Sequence, residues 1–236
     1  MNPLFSGFFL HLIKAANYKI AAMNTDMISY YKDRAVEYEK IYTKPERQAD
    51  LLKATEILQS FFTGKDVMEI ACGTGYWTER IATVANSILA TDINEAVLSI
   101  ARLKTYTNAT VEFNAADVYT LPPNKKHQSL FGGFIWSHVK LQELDLFVNT
   151  INRLVPPGST IVFMDNNYVT GSSLPVASKD ELGNTYQLRN LENGTTHSVI
   201  KNFPSEKFIR NVLNGKATEI EFINLEYYWI LKYTNI

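Results

Sequence analysis

Excess charge of either sign is missing from this chain. Its 236 residues carry 23 Lys and Arg against 24 Asp and Glu, a net charge of −1, so no basic field steers it toward nucleic acid. Cysteine is nearly absent. A lone Cys72 excludes an internal disulfide framework and leaves the redox compartment open. Long apolar runs are scarce as well. The stretch Pro3-Leu4-Phe5-Ser6-Gly7-Phe8-Phe9-Leu10-His11-Leu12-Ile13 is too short to span a bilayer, and no Lys or Arg precedes it as a secretory signal would require. It is expected to be an amphipathic helix packed on the body or a loosely held extension, with no stable membrane insertion. Met23 and Met27 stand as alternative starts. No repeat, low-complexity tract or linker divides the rest. Composition is otherwise globular, 46% hydrophobic and 20% charged, enough for a full core. The expected organisation is an extension at 1–26 followed by one cytoplasmic domain at 27–236.

The segment Val67-Met68-Glu69-Ile70-Ala71-Cys72-Gly73-Thr74-Gly75-Tyr76-Trp77-Thr78 organises the chain. An apolar run reads as a buried strand, two glycines as a loop, and the pattern from Tyr76 as a helix. Strand, glycine loop and helix form the first turn of a nucleotide-binding α/β unit. Glycine lets backbone approach a ligand closely, and the helix N-terminus offers it free N–H groups. A lone Gly-x-Gly also marks ordinary turns. Here the next strand, Ser87 to Thr91, ends at Asp92, seventeen residues after Gly75. That is where an acidic residue accepts hydrogen bonds from ribose hydroxyls; capping the helix from Asn94 is the competing role. The dinucleotide fingerprint wants a third glycine, and Thr78 stands there instead, which speaks against an NAD(P)-linked oxidoreductase.

The run Glu69-Ile70-Ala71-Cys72-Gly73-Thr74-Gly75 resembles motif I of the class I S-adenosylmethionine-dependent methyltransferases, and the resemblance extends from about Ile28 to the C-terminus. It implies a Rossmann-like, doubly wound α/β sheet of seven strands, the last antiparallel, with N-terminal helices. It further implies that Gly73 and Gly75 pack against S-adenosylmethionine and that Glu69 orders the loop. Asp92, with Ile93 beside it, would hold the ribose. Asn114-Ala115-Ala116-Asp117-Val118 matches the family's segment after strand three, where Asp117 and Val118 would meet the adenine. Tyr30, Tyr31 and Arg34 lie on an expected helix, Asp26 to Tyr42, whose aromatic stripe includes Tyr38 and Tyr42. By resemblance that helix closes over the cofactor and meets its carboxylate; the alternative is a stripe that simply packs in the core.

The fourth strand is expected at Leu130 to Ser137. Trp136 would wall the adenosine, and His138 is a candidate general base, with a structural histidine the alternative. Where catechol-type relatives place aspartate for magnesium, this chain has His138. Magnesium wants oxygen ligands, so no metal is expected. Strand five ends at Asp165-Asn166-Asn167. Asn-Gly at 193–194 between alternating runs signals a β-hairpin, expected as a cap at about 168–203. Acceptor contacts are assigned to Asn166, Tyr168, Tyr186, Arg189 and His197; a decorative hairpin or a homodimer contact is the other reading. The implied activity is transfer of a methyl group to O or N of a small-molecule acceptor, releasing S-adenosylhomocysteine. The alternative is a non-catalytic cofactor-binding or protein-interaction module of the same fold.

Overall fold

The computed structural model describes Tyr30, residues 34–192 and residues 194–236, with the backbone alone at 35–38. The extension at 1–26 and Tyr31 therefore lie outside the described residues, as does the side chain of Tyr38.

After a 3-10 helix at Ala35–Tyr42, Pro45–Arg47 leads into helix α1, Gln48–Phe62. Pro45 fits there because a first-turn N–H has no partner within the helix. Strand β1, Asp66–Ile70, is followed by α2, Tyr76–Ala82, then β2, Ser87–Asp92, and α3, Glu95–Ala101. Asn94 caps α3 through its side chain, which accepts from Ala96 N. Strands β3, Thr110–Ala115, and β4, Ser129–Gly133, precede helix α4, Leu144–Leu154. On α4, Leu144, Phe147, Val148, Ile151 and Leu154 are buried, the spacing of one helical face. Strand β5, Thr160–Asn166, follows.

These strands join two later ones, β9 at Ala217–Asn224 and β10 at Tyr228–Asn235, in the order β3-β2-β1-β4-β5-β10-β9. The first five are mutually parallel. Strand β10 runs antiparallel to β5 and to β9, so the Rossmann-like sheet expected from the sequence is the one observed. Central β1 is buried along nearly its whole length, whereas edge strand β3 alternates between partial and full exposure, as position in a covered parallel sheet dictates. One core lies between the sheet and α1–α2, around Leu58, Phe62, Ile81 and Phe131. The other lies under α4 and helix α5, Glu206–Leu213, around Phe147, Ile151, Phe163 and Trp229. Chain order reverses between β1 and β4, so a crevice opens at their carboxyl ends.

Strands β6 (Ser178–Lys179), β7 (Thr185–Asn190) and β8 (Thr196–Ile200) form a separate antiparallel sheet. Arg189 pairs with His197 across the β7–β8 hairpin. It sits at the carboxyl ends of β4 and β5. Asn202 N donates to Ser137 O at 2.8 Å, Asn202 Nδ2 to Val139 O at 3.0 Å, and Leu141 N to Asn184 Oδ1 at 2.8 Å. Among the described residues, no helix is long and apolar enough to cross a membrane.

Two sequence boundaries needed correction. Strand β4 ends at Gly133, well short of Ser137, because Phe134 adopts a left-handed φ of 59°. In the described part of the first expected helix, Tyr30 is α-helical and its carbonyl accepts from Arg34 N at 3.0 Å, but a turn at Arg34 leads into 3-10 helix over Ala35–Tyr42.

Candidate active site

The glycine loop leaves β1 with three left-handed residues, Ala71, Gly73 and Gly75, at φ 51°, 57° and 78°. Such a bend points backbone N–H groups inward, and Gly73 N donates to Asp92 Oδ2 at 2.9 Å. Asn94 N binds the other oxygen, Oδ1, at the same distance. The Asp92 carboxylate is thereby fixed at the mouth of a cleft also lined by Gly73, Ile93, Asp117 and Val118. Burial raises its pKa, with the backbone donors opposing the rise. Each carboxylate oxygen can accept more than one hydrogen bond, so the tether keeps capacity for a further donor. Asp117 turns its own segment by accepting from Tyr119 N at 3.0 Å.

Several expected cofactor residues stand elsewhere. Gly75 does not line the cleft: a Cβ there would come within 2.4 Å of Tyr106 Oη and 3.2 Å of Ala101 Cβ. Its glycine serves α2–α3 packing. Glu69 is buried behind the loop, with Oε2 lacking a hydrogen-bond partner among the described residues. Burial pushes its carboxyl up to about 8, so it is neutral at neutral pH. Trp136 is displaced from the assigned wall position. It is buried edge-on against Phe147, Phe163 and Trp229, because the left-handed Phe134 ends the strand early and swings the following turn into the α4 side. Tyr30 is buried with Leu191 and Val199 of the hairpin, its hydroxyl accepting from Arg34 Nη1 at 2.8 Å. Cys72 is buried, and desolvation pushes its thiol well above the usual range, which keeps it unreactive.

A second cleft is lined in part by the β7–β8 hairpin and the segment after it. Arg34 opens into it and not into the first, as do Asn166, Arg189, Lys201 and Arg47. Phe134 and His138 line both clefts. The left-handed Phe134 backbone, unusual for a bulky residue, is held by its N–H on Met164 O at 2.7 Å. Its ring meets those of Tyr42, Trp77 and Tyr228. His138 Nδ1 lies 2.6 Å from Ile200 O. A carbonyl only accepts, so Nδ1 carries the proton. Burial, with Lys201 nearby, lowers its pKa to about 3.

The other hairpin assignments separate. Tyr186 Oη donates to Asp180 at 3.1 Å, His197 Nε2 lies 3.1 Å from Thr195 Oγ1, and Tyr168 packs edge-on against Phe203. None of the three lines either cleft. The sequence reading missed Lys201. Its ammonium is buried and donates to Asp165 Oδ1 at 2.8 Å and Ser137 Oγ at 2.7 Å. Ser137 N also donates to Asp165 Oδ2 at 2.9 Å. Lys201 and Asp165 are 36 residues apart, and no motif spacing links them. Among the described residues, no cluster of His, Cys, Asp and Glu is arranged to hold a metal.

The sheet order is that of a Rossmann-like methyltransferase fold. Residues 67–158 match the family model described as a methyltransferase domain. Among solved structures, the chain resembles DhpI in complex with SAH, at 22% identity and TM-score 0.73, over 89% of this chain and 95% of that one. DhpI with SAM and HEP matches at 22% identity and TM-score 0.71, over 88% and 95%. The N-methyltransferase NodS from Bradyrhizobium japonicum WM9, in complex with S-adenosyl-l-homocysteine, matches at 14% identity and TM-score 0.56, over 83% and 90%. No curated protein matches the chain.

Proposed function

We propose that the protein is an S-adenosylmethionine-dependent methyltransferase acting on O or N of a small-molecule acceptor. One observation carries this reading. Two clefts, one bounded by the glycine loop and Asp92, the other by the hairpin cap, share a wall made of Phe134 and His138. Methyl transfer needs donor and acceptor pockets that meet. The solved relatives with SAM or SAH bound support the first cleft as the donor's.

The cofactor supplies a methyl group on a sulfonium, already a good leaving group. The protein's task is therefore alignment and exclusion of water. The tethered Asp92 carboxylate suits a ribose diol, since its two backbone donors fix its direction and leave lone pairs. Asp117 and Val118, which line the same cleft, suit the adenine edge. The hairpin, bonded to the turn after β4, covers the acceptor side.

His138 is assigned a positioning role. A histidine held neutral with a pKa of about 3 is a weak base, and its Nδ1 proton is already committed to Ile200 O. Titration calorimetry with S-adenosylmethionine and S-adenosylhomocysteine tests the reading. Binding should be measurable and should fall in Asp92→Ala by about tenfold or more, the value of charge-assisted hydrogen bonds. Undiminished binding by that variant would remove the ribose assignment, and no binding by the wild type would remove the activity.

A further inference from the structure

The second cleft is unusual in charge. Among the described residues, five cationic side chains line it, Arg34, Lys44, Arg47, Arg189 and Lys201, and no Asp or Glu does. Lys201 is balanced by buried Asp165. Among the described residues, three of the others donate side-chain hydrogen bonds to neutral acceptors, although the charges of Lys44 and Arg47 help lower the pKa of exposed Glu46. Lys44 Nζ donates to Ser172 O at 2.6 Å, Arg47 Nε to Ser172 Oγ at 3.0 Å, and Arg189 Nη2 to Gln187 Oε1 at 2.7 Å. Arg189 Nε is buried without an acceptor among the described residues. Among the described residues, Lys44, Arg47 and Arg189 form no ion pair, whereas Arg80, Arg102, Lys104, Arg210, Lys216 and Lys232 each do. Glu46 reaches Ser172 from the exposed side but does not line the cleft.

Like charges gathered in a recess repel one another, and a partly buried guanidinium lacking an acceptor forfeits hydration. A bound anion relieves both costs. The planar forks of two arginines suit the paired oxygens of a carboxylate or a phosphoryl group, a geometry a lysine alone does not supply.

We infer that the acceptor carries a small oxyanion, of the carboxylate or phosphoryl class, seated between Arg47 and Arg189 with Lys44 beside them. The inference rests on the methyltransferase reading in calling the ligand an acceptor; the anion site itself rests on the cleft alone. It excludes amines that reach the cleft only as cations, because like charge would repel them.

The test is calorimetric titration of the full chain, with and without saturating S-adenosylhomocysteine. The probes are inorganic phosphate, methylphosphonate and propionate, against 1-propanol and ethanolamine. At least one oxyanion should bind about tenfold or more tightly than 1-propanol, with an affinity that weakens as salt is added. The comparison of propionate with the phosphoryl probes identifies the class. Arg189→Gln should weaken that anion by about tenfold or more, Arg189→Lys by less, and neither should alter S-adenosylhomocysteine affinity. S-adenosylhomocysteine binding with no preference for anions overturns the proposal alone. Equal anion affinity in wild type and Arg189→Gln, with a second variant Arg47→Gln also unchanged, overturns the placement. Anion binding without any S-adenosylhomocysteine binding leaves the site standing and overturns the methyltransferase reading.

Discussion

Replacing Gly75 by alanine separates a packing glycine from a ligand-facing one. At φ 78° an alanine costs about 1–2 kcal/mol relative to glycine, because its Cβ crowds the following carbonyl. The same Cβ would stand 2.4 Å from Tyr106 Oη, too close for any real contact. Tyr106 must turn aside, and its hydroxyl then loses the 2.8 Å bond to Ala101 O, worth about 1 kcal/mol net. The sum is about 2–3 kcal/mol, which in a domain of this size lowers Tm by roughly 4–12 °C. Removing the hydroxyl first removes the collision. In a Tyr106→Phe background, Gly75→Ala should then cost only the backbone share, and thermal unfolding of the four proteins should show a coupling of about 1 kcal/mol. S-adenosylhomocysteine affinity should change little in any of them. A cycle with no coupling, or an intact Tm together with a large loss of cofactor affinity, would return Gly75 to the ligand and refute the packing account.

Lys201→Met should destabilise by about 3 kcal/mol or more, since it strands the buried Asp165 carboxylate; chemical denaturation measures the loss, and a change under about 0.5 kcal/mol would contradict it. Glu69 has a folded pKa raised to about 8 by burial, above its unfolded value, so the folded state binds the extra proton. The stability this confers is fully present below the unfolded pKa near 4.5 and drains away as pH rises toward 8. Glu69→Gln should flatten that slope, and parallel slopes for the two proteins in denaturation at several pH values would be the wrong outcome. For His138, pKa about 3, the imidazole nitrogen signals in NMR should show no titration between about pH 5 and 8. A midpoint inside that range would restore it as a candidate base.

Much of the fold was legible in the residues themselves. Local patterns carry local structure: the apolar run before Gly73 and the alternating runs of the hairpin depend on neighbours a few positions away. Gly73, Asp92 and Asp117 line one cleft because the sheet order brings the strand ends that precede them together; Asp92 was singled out by its place at a strand end, Asp117 by family resemblance. Arg189 was assigned to the acceptor side on its hairpin position and does line that cleft. Trp136 was misplaced because its environment is set by one backbone torsion at Phe134, a conformation that no side-chain pattern announces.

The sequence alone determined the order of strands and helices, the loop that meets the first cleft and the carboxylate at its mouth, because these are written in short-range periodicity and turn chemistry. Tertiary structure alone decided the second cleft. Its cations come from two distant segments, Arg34, Lys44 and Arg47 in one and Arg189 and Lys201 in the other, which only chain closure brings together, and in one dimension their charges vanish into a chain whose net charge is −1. A charge acts through distance in space, and the sequence records only distance along the chain.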